Sequence, residues 1–146
     1  MSARTFGIEV ECGHPDGYQD VARRLRLGPH PAWGDSVGSD GSGVEVRSPI
    51  LSGAQGFKEL HDVLNYLIDE GCYVTRRDCM HVHHGGEDFV NNRPQIVKLV
   101  KSWVANQQHI NTFVAPMRRG GGYGAPLSPA VIELFENDPS YYGSRS

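Results

Sequence analysis

"FGIEVEC", Phe6 to Cys12, alternates with a period of two: Phe6, Ile8, Val10 and Cys12 fall on one side, Gly7, Glu9 and Glu11 on the other. Successive side chains of a strand point to opposite faces, so the run predicts a β-strand with one buried face and one face bearing two carboxylates. Strands of a doubly wound parallel sheet are covered on both faces and read as continuous apolar runs. This strand does not, and neither do two later ones. "VEVRSPIL" sets Val44, Val46 and Ser48 against Glu45 and Arg47 before Pro49 limits further ladder bonding, and "CMHVHH" sets Met80 and Val82 against His81 and His83. Three alternating strands predict an α+β domain whose sheet is mainly antiparallel or mixed, with helices on one face and the other face open.

The segments between these strands supply the helices. "GYQDVARRLRL" (17–27) places Tyr18, Val21, Ala22 and Leu25 on one side, and Phe57, Leu60, Val63, Leu64, Leu67 and Ile68 form an amphipathic stripe closed by Gly71. A longer helix is expected over about 92–113, with Pro94 tolerated in its first turn and Ile96, Val97, Leu99, Val100, Trp103, Val104 and Ile110 available to a core. A last helix opens at "SPAVIELFEND", with Ser128 as N-cap and Pro129 as first helical residue. "GPHPAWGDSVGSDGSG" (28–43) is dominated by Pro, Gly, Ser and Asp and reads as mostly turn and loop, while "CYVT" (72–75) reads as a short strand.

The chain's 146 residues fit one domain, 1–146, with generous loops. No segment approaches the roughly 20 apolar residues of a membrane helix, and the start lacks the apolar core of a secretory signal, so no membrane partner and a cytoplasmic location are expected. A formal net charge of −3 gives no basic field for nucleic acid. Cys12, Cys72 and Cys79 are odd in number and widely spaced, which argues against a disulfide scaffold and assigns them to the core. Basic pairs at Arg76–Arg77 and Arg118–Arg119 can meet a small anion; Arg23 to Arg26 read as a solvated helix face.

The chemistry gathers on the open face. Same-face neighbours on a strand lie about 6.5–7 Å apart, so Glu9 and Glu11 can hold two cations or bracket one site. If the three strands adjoin, Glu45, His81 and His83 share that surface. A Glu-dominated, oxygen-rich set suits Mg²⁺ or Mn²⁺, above all when nucleotide phosphates complete the shell. Two plainer or competing readings stand beside this one. The face is a solvated one, with Arg47 pairing Glu9 or Glu45 across strands; or the H-x-H strand with a carboxylate holds zinc, as in a hydrolase. "RRGGGYG" (118–124) offers two Arg and accessible backbone N–H groups to phosphate, without the GK[ST] ending of a P-loop.

Taken in order, "FGIEVE", "SDGSGVEVRSPIL", "CMHVHHG" and "RR" followed by a Tyr resemble the amidoligase family, relatives of glutamine synthetase and the glutamate-cysteine ligases, over roughly residues 5–127. The resemblance implies an ATP- and Mg²⁺-dependent carboxylate–amine ligase that forms an amide through an acyl phosphate, on a curved, mainly antiparallel sheet of the glutamine synthetase type. It implies that Glu9, Glu11, Glu45 and His81 are metal ligands and that Asp40 is a metal or substrate contact. His81 and His83 would touch metal or phosphate, and Arg47, Arg118 and Arg119 would bind phosphate and neutralise charge on the transferred group. Small-molecule or peptide carboxylates and amines are the implied partners. The family's later T-x-E-F-R strand is not found in this sequence. The expectation is therefore a truncated or minimal domain: a homo-oligomer that completes its site between copies, or a catalytically reduced protein that binds nucleotide or metal without turnover.

Overall fold

The computed structural model describes residues 4–41, 43–90, 92–114, 116, 119 and 126–137. They fall into two compact units, residues 1–85 and 86–146. The first runs β1 (Thr5–Cys12), α1 (Gly17–Leu27), α2 (Pro31–Gly34), β2 (Val37–Asp40), β3 (Gly43–Arg47), β4 (Leu51–Ser52), α3 (Gly53–Asp69) and β5 (Met80–His84). The second holds α4 (Arg93–Ile110), a 3₁₀ turn at Asn111–Phe113 and α5 (Ala130–Asn137).

All strand pairings are antiparallel, as the alternation predicts. β1 is central: β5 lies along one edge, β3 and then β4 along the other, with β2 outside β3. Glu9 of β1 faces Arg47 and Phe6 faces Leu51, so the register slips by one residue between β3 and β4. The slip falls at Ser48 and Pro49, where proline has no N–H for a ladder. Ser48 repairs it: its Oγ accepts the Ile8 N–H at 2.8 Å while its own N–H donates to the Ile8 carbonyl at 2.8 Å.

Over β1, β3 and β4 the apolar side of this sheet is covered. Phe6, Ile8 and Cys12 of β1, Val44 and Val46 of β3 and Leu51 of β4 pack with Val21 and Leu25 of α1, Trp33 of α2, and Val63 and Leu67 of α3. Burying each large side chain contributes roughly 1.5–3 kcal/mol. α3 ends as Gly71 predicts: at φ 92° it lets Gly71 N–H reach the Ile68 carbonyl (3.0 Å) and Cys72 N–H the Leu67 carbonyl (2.9 Å). Arg24, expected on a solvated face, instead ties α1 to the end of α3 through Glu70 at 2.6 Å and also pairs with Asp20.

Four local expectations are corrected. Residues 28–43 contain a helical turn and a strand: Trp33 is fully buried and donates Nε1–H to Glu59 at 2.8 Å, and Gly41 at φ 58° turns the β2–β3 hairpin. "CYVT" makes only the Gly13–Tyr73 bridge. α4 has the predicted span, but none of its described residues is buried; Leu99 and Trp103 are half-exposed. α5 begins one residue later than expected, with Ser128 Oγ accepting the Ala130 N–H at 3.3 Å. No helix among the described residues is long and apolar enough to cross a membrane.

Candidate functional site

The uncovered side of the sheet collects the charged residues of β1, β3 and β5. β1 and β3 turn their apolar sets to the core and leave the alternate sets outward. Register puts His81 and His83 of β5 on that same side, although Met80 and Val82, expected to be buried, are half-exposed. The register arranges them in rows: His81, Glu9 and Arg47 lie side by side across β5, β1 and β3, and Glu11 stands directly opposite Glu45. His83 is opposite Gly7, and Gly38 of β2 is opposite Glu45. The two glycines contribute no side chain, so the acidic groups rise from a low floor.

Glu9 is the hub. His81 Nδ1 lies 3.1 Å from one carboxylate oxygen and His83 Nε2 3.4 Å from the other, with Arg47 Nε 3.8 Å away. The hydrogen bond from His81 holds the Glu9 carboxyl below its ordinary range; partial burial opposes this, and His83 adds to the lowering. Glu45 is buried and accepts a hydrogen bond from Arg47 Nη2. Glu11 accepts the Cys79 N–H at 3.0 Å. The Arg47 pairing expected of a solvated face therefore exists, across strands to Glu9 at 3.8 Å and more closely along β3 itself to Glu45, yet it leaves Glu11 facing a second carboxylate. Like charges directly opposite destabilise a sheet unless a cation lies between them.

Beyond the Glu11 end of β1, a cavity of about 400 Å³ is lined by Gly13, Gly43, Tyr73, Thr75, Arg76, Arg77 and Asp78. Its loop is pinned by Asp78, which accepts the Thr75 N–H at 2.5 Å, and by Thr75 Oγ1, which accepts the Arg77 N–H at 3.2 Å.

The sequence-derived residues divide as follows. Glu9, Glu11, Glu45, Arg47, His81 and His83 share one face. Asp40 ends β2, opposite Gly43. Arg119 belongs to the second unit, where its Nε donates to the Val114 carbonyl at 2.7 Å, and Arg118 lies outside the described residues. Cys79 corrects an expectation. It is not a core residue but sits at the open face with Sγ 3.1 Å from His81 Nε2. The spacing C-x-H held the signal, since residues two apart on an extended chain share a side.

A family model described as "Putative amidoligase enzyme" matches residues 16–145. The chain belongs to the amidoligase family. That description is of a ligase-type enzyme, and the matched span contains Glu45, Arg47, His81, His83, Arg118 and Arg119. It begins after β1, so Glu9 and Glu11 join the candidate site of this amidoligase-family chain through sheet register alone. No curated protein and no solved structure matches the chain.

Proposed function

We propose that this amidoligase-family chain is an ATP- and Mg²⁺-dependent carboxylate–amine ligase working on the open face of its sheet, with a glutamine synthetase-like architecture. The observation that carries the reading is the pair Glu11 and Glu45, opposite each other on adjacent strands with a single Arg serving one of them. Oxygen donors in this density fit a hard divalent cation. Glu11 and Glu45 would hold one Mg²⁺, and Glu9 with His81 would bound a second position. Bound there, Mg²⁺ would offset the charge of nucleotide phosphates.

The chain's own residues would do the rest. Arg47 stands beside the carboxylates, suited to a phosphoryl oxygen once a cation replaces it at Glu45. Arg76 and Arg77 line a cavity next to that end of the face and are suited to the remaining phosphates. In the reaction, a substrate carboxylate oxygen attacks the γ-phosphorus and ADP leaves. An amine nitrogen then attacks the acyl carbon, phosphate departs, and the amine loses a proton. His83, 3.4 Å from Glu9 at the border of the face, would accept it.

Calorimetric titration with a non-hydrolysable ATP analogue, with and without Mg²⁺, tests the site. Mg²⁺-dependent binding by the native protein that disappears in Glu45→Gln supports it; Mg²⁺-independent binding, or binding unchanged in the variant, rejects it. ADP release in the presence of mixed amino-acid carboxylates and amines then separates a ligase from a catalytically reduced relative.

A further inference from the structure

Cys79 has no part in the ligase chemistry just described, yet its sulfur faces that site. One ligand atom each from Glu11, Cys79 and His81 lies within 4.8 Å of the others. Sulfur and imidazole nitrogen around a tetrahedral zinc are separated by about 3.6 Å, given Zn–S near 2.3 Å and Zn–N near 2.0–2.1 Å. Cys79 Sγ and His81 Nε2 stand at 3.1 Å, so an opening of about half an ångström admits the ion.

A second observation comes from outside this trio. His81 presents its other nitrogen, Nδ1, to the Glu9 carboxylate at 3.1 Å. Metal-ligating histidines commonly give their second ring N–H to a carboxylate, which fixes the tautomer, orients the ring and raises the basicity of the nitrogen turned to the metal. Here that arrangement aims the lone pair of Nε2 at Cys79. Glu11 is likewise held, through the Cys79 N–H.

We infer that Cys79, His81 and Glu11 form a binding site for a borderline-soft divalent transition metal of the Zn²⁺ class, overlapping the oxygen-rich Mg²⁺ position. Sulfur selects against Mg²⁺ and for Zn²⁺ or Co²⁺. Three protein ligands leave a fourth position for water. On binding, the Cys79 thiol loses its proton to solvent, so affinity rises with pH. The site differs from a two-histidine zinc centre, since His83 leans on Glu9 rather than joining it. Its consequence for turnover rests on the ligase reading: an ion held here withdraws Glu11 and His81 from Mg²⁺, and Zn²⁺ becomes an inhibitor that Mg²⁺ relieves poorly.

Co²⁺ titration of the full chain, without nucleotide, tests the site independently of any ligase activity. One Co²⁺ per chain, with a thiolate-to-cobalt charge-transfer band and tetrahedral visible bands, is expected. Zn²⁺ should abolish these bands and Mg²⁺ should not. Cys79→Ser should remove the charge-transfer band with an unchanged circular dichroism spectrum. A native protein without the band, or a band retained in Cys79→Ser and so owed to Cys12 or Cys72, overturns the inference. A measurement on the native chain guards against a variant that fails to fold: Zn²⁺ should slow alkylation of Cys79 by iodoacetamide at least tenfold, read by peptide mass spectrometry, and an unchanged rate counts equally against the site.

Discussion

His81 of β5 turns Nδ1 to within 3.1 Å of the Glu9 carboxylate, its direct neighbour across the sheet. The contact is the main cause that holds the Glu9 carboxyl below its ordinary range. Glu9 is faced by His81 and His83 from β5 and by Arg47 from β3, with Glu11 two residues along its own strand. A carboxylate with a depressed folded-state pKa adds stability above its unfolded value near 4.5, and the gain disappears as pH falls through the lower folded value. Native protein should therefore exceed Glu9→Gln in melting temperature at pH 6, by an amount equivalent to about 1 kcal/mol or less. The difference should shrink as pH falls below about 4.5 and vanish once Glu9 is protonated in the folded state as well. Thermal melts of both proteins across that range measure it, and a difference independent of pH would contradict the assignment.

Ser48 carries a second expectation. Its hydroxyl accepts the N–H of Ile8, a residue only 4 % exposed, at the place where Pro49 interrupts the strand. Ser48→Ala leaves that N–H without its partner, and an unsatisfied buried donor costs about 1–3 kcal/mol. Ser48→Thr keeps the hydroxyl and should recover most of the loss. Urea unfolding of the three proteins compares them, with the slope of the transition expected to stay constant.

This pair of sites shows where sequence reasoning reached and where it stopped. Alternation reveals β1 and β3 and sorts Glu9, Glu11 and Glu45 onto one side, because a buried face imposes a period of two on its own strand. β5 shows the same period, and register sets His81 and His83 on that side, although its Met80 and Val82 are half-exposed. The register that sets Glu11 against Glu45, and the one-residue slip at Ser48, depend on pairing between distant segments and leave no local periodicity. Trp33 was hidden for another reason: one buried indole anchors a turn of helix inside a segment whose Pro, Gly and Ser composition reads as loop. In α4 the apolar residues were recognised, but periodicity does not tell how deeply a stripe is covered, and Leu99 and Trp103 remain half-exposed. Cys79 was assigned to the core by composition, although its two-residue spacing from His81 already placed both on one side.

Trp33 yields a stability prediction of its own. Its side chain is fully buried, and Nε1–H reaches Glu59 of α3 at 2.8 Å, joining α2 to that helix. Trp33→Ala should cost about 3–5 kcal/mol through the cavity it opens and the lost bond. Trp33→Phe, which keeps much of the volume but drops the donor, should cost clearly less. Denaturant midpoints for the two variants settle the order; equal losses would mean that the hydrogen bond, and not the packing, dominates.

Glu11→Gln separates the demands of folding from those of metal binding. Without a cation, Glu11 confronts Glu45 across two paired strands, and a like-charge pair in that position costs roughly 0.2–1 kcal/mol. Glutamine removes the charge and still offers an oxygen to the Cys79 N–H, so the local hydrogen bond survives. In metal-free buffer the variant should melt at or above the native temperature. Mg²⁺ at 100 times its dissociation constant should raise native stability by about 2.7 kcal/mol, because a ligand that binds only the folded state shifts the folding equilibrium. The variant, with half of the facing carboxylate pair neutralised, should show little of that rise. Differential scanning calorimetry with and without Mg²⁺ reads both effects in one experiment. A variant less stable than native protein in metal-free buffer, yet equally stabilised by Mg²⁺, would assign Glu11 to folding and move the cation elsewhere on the face.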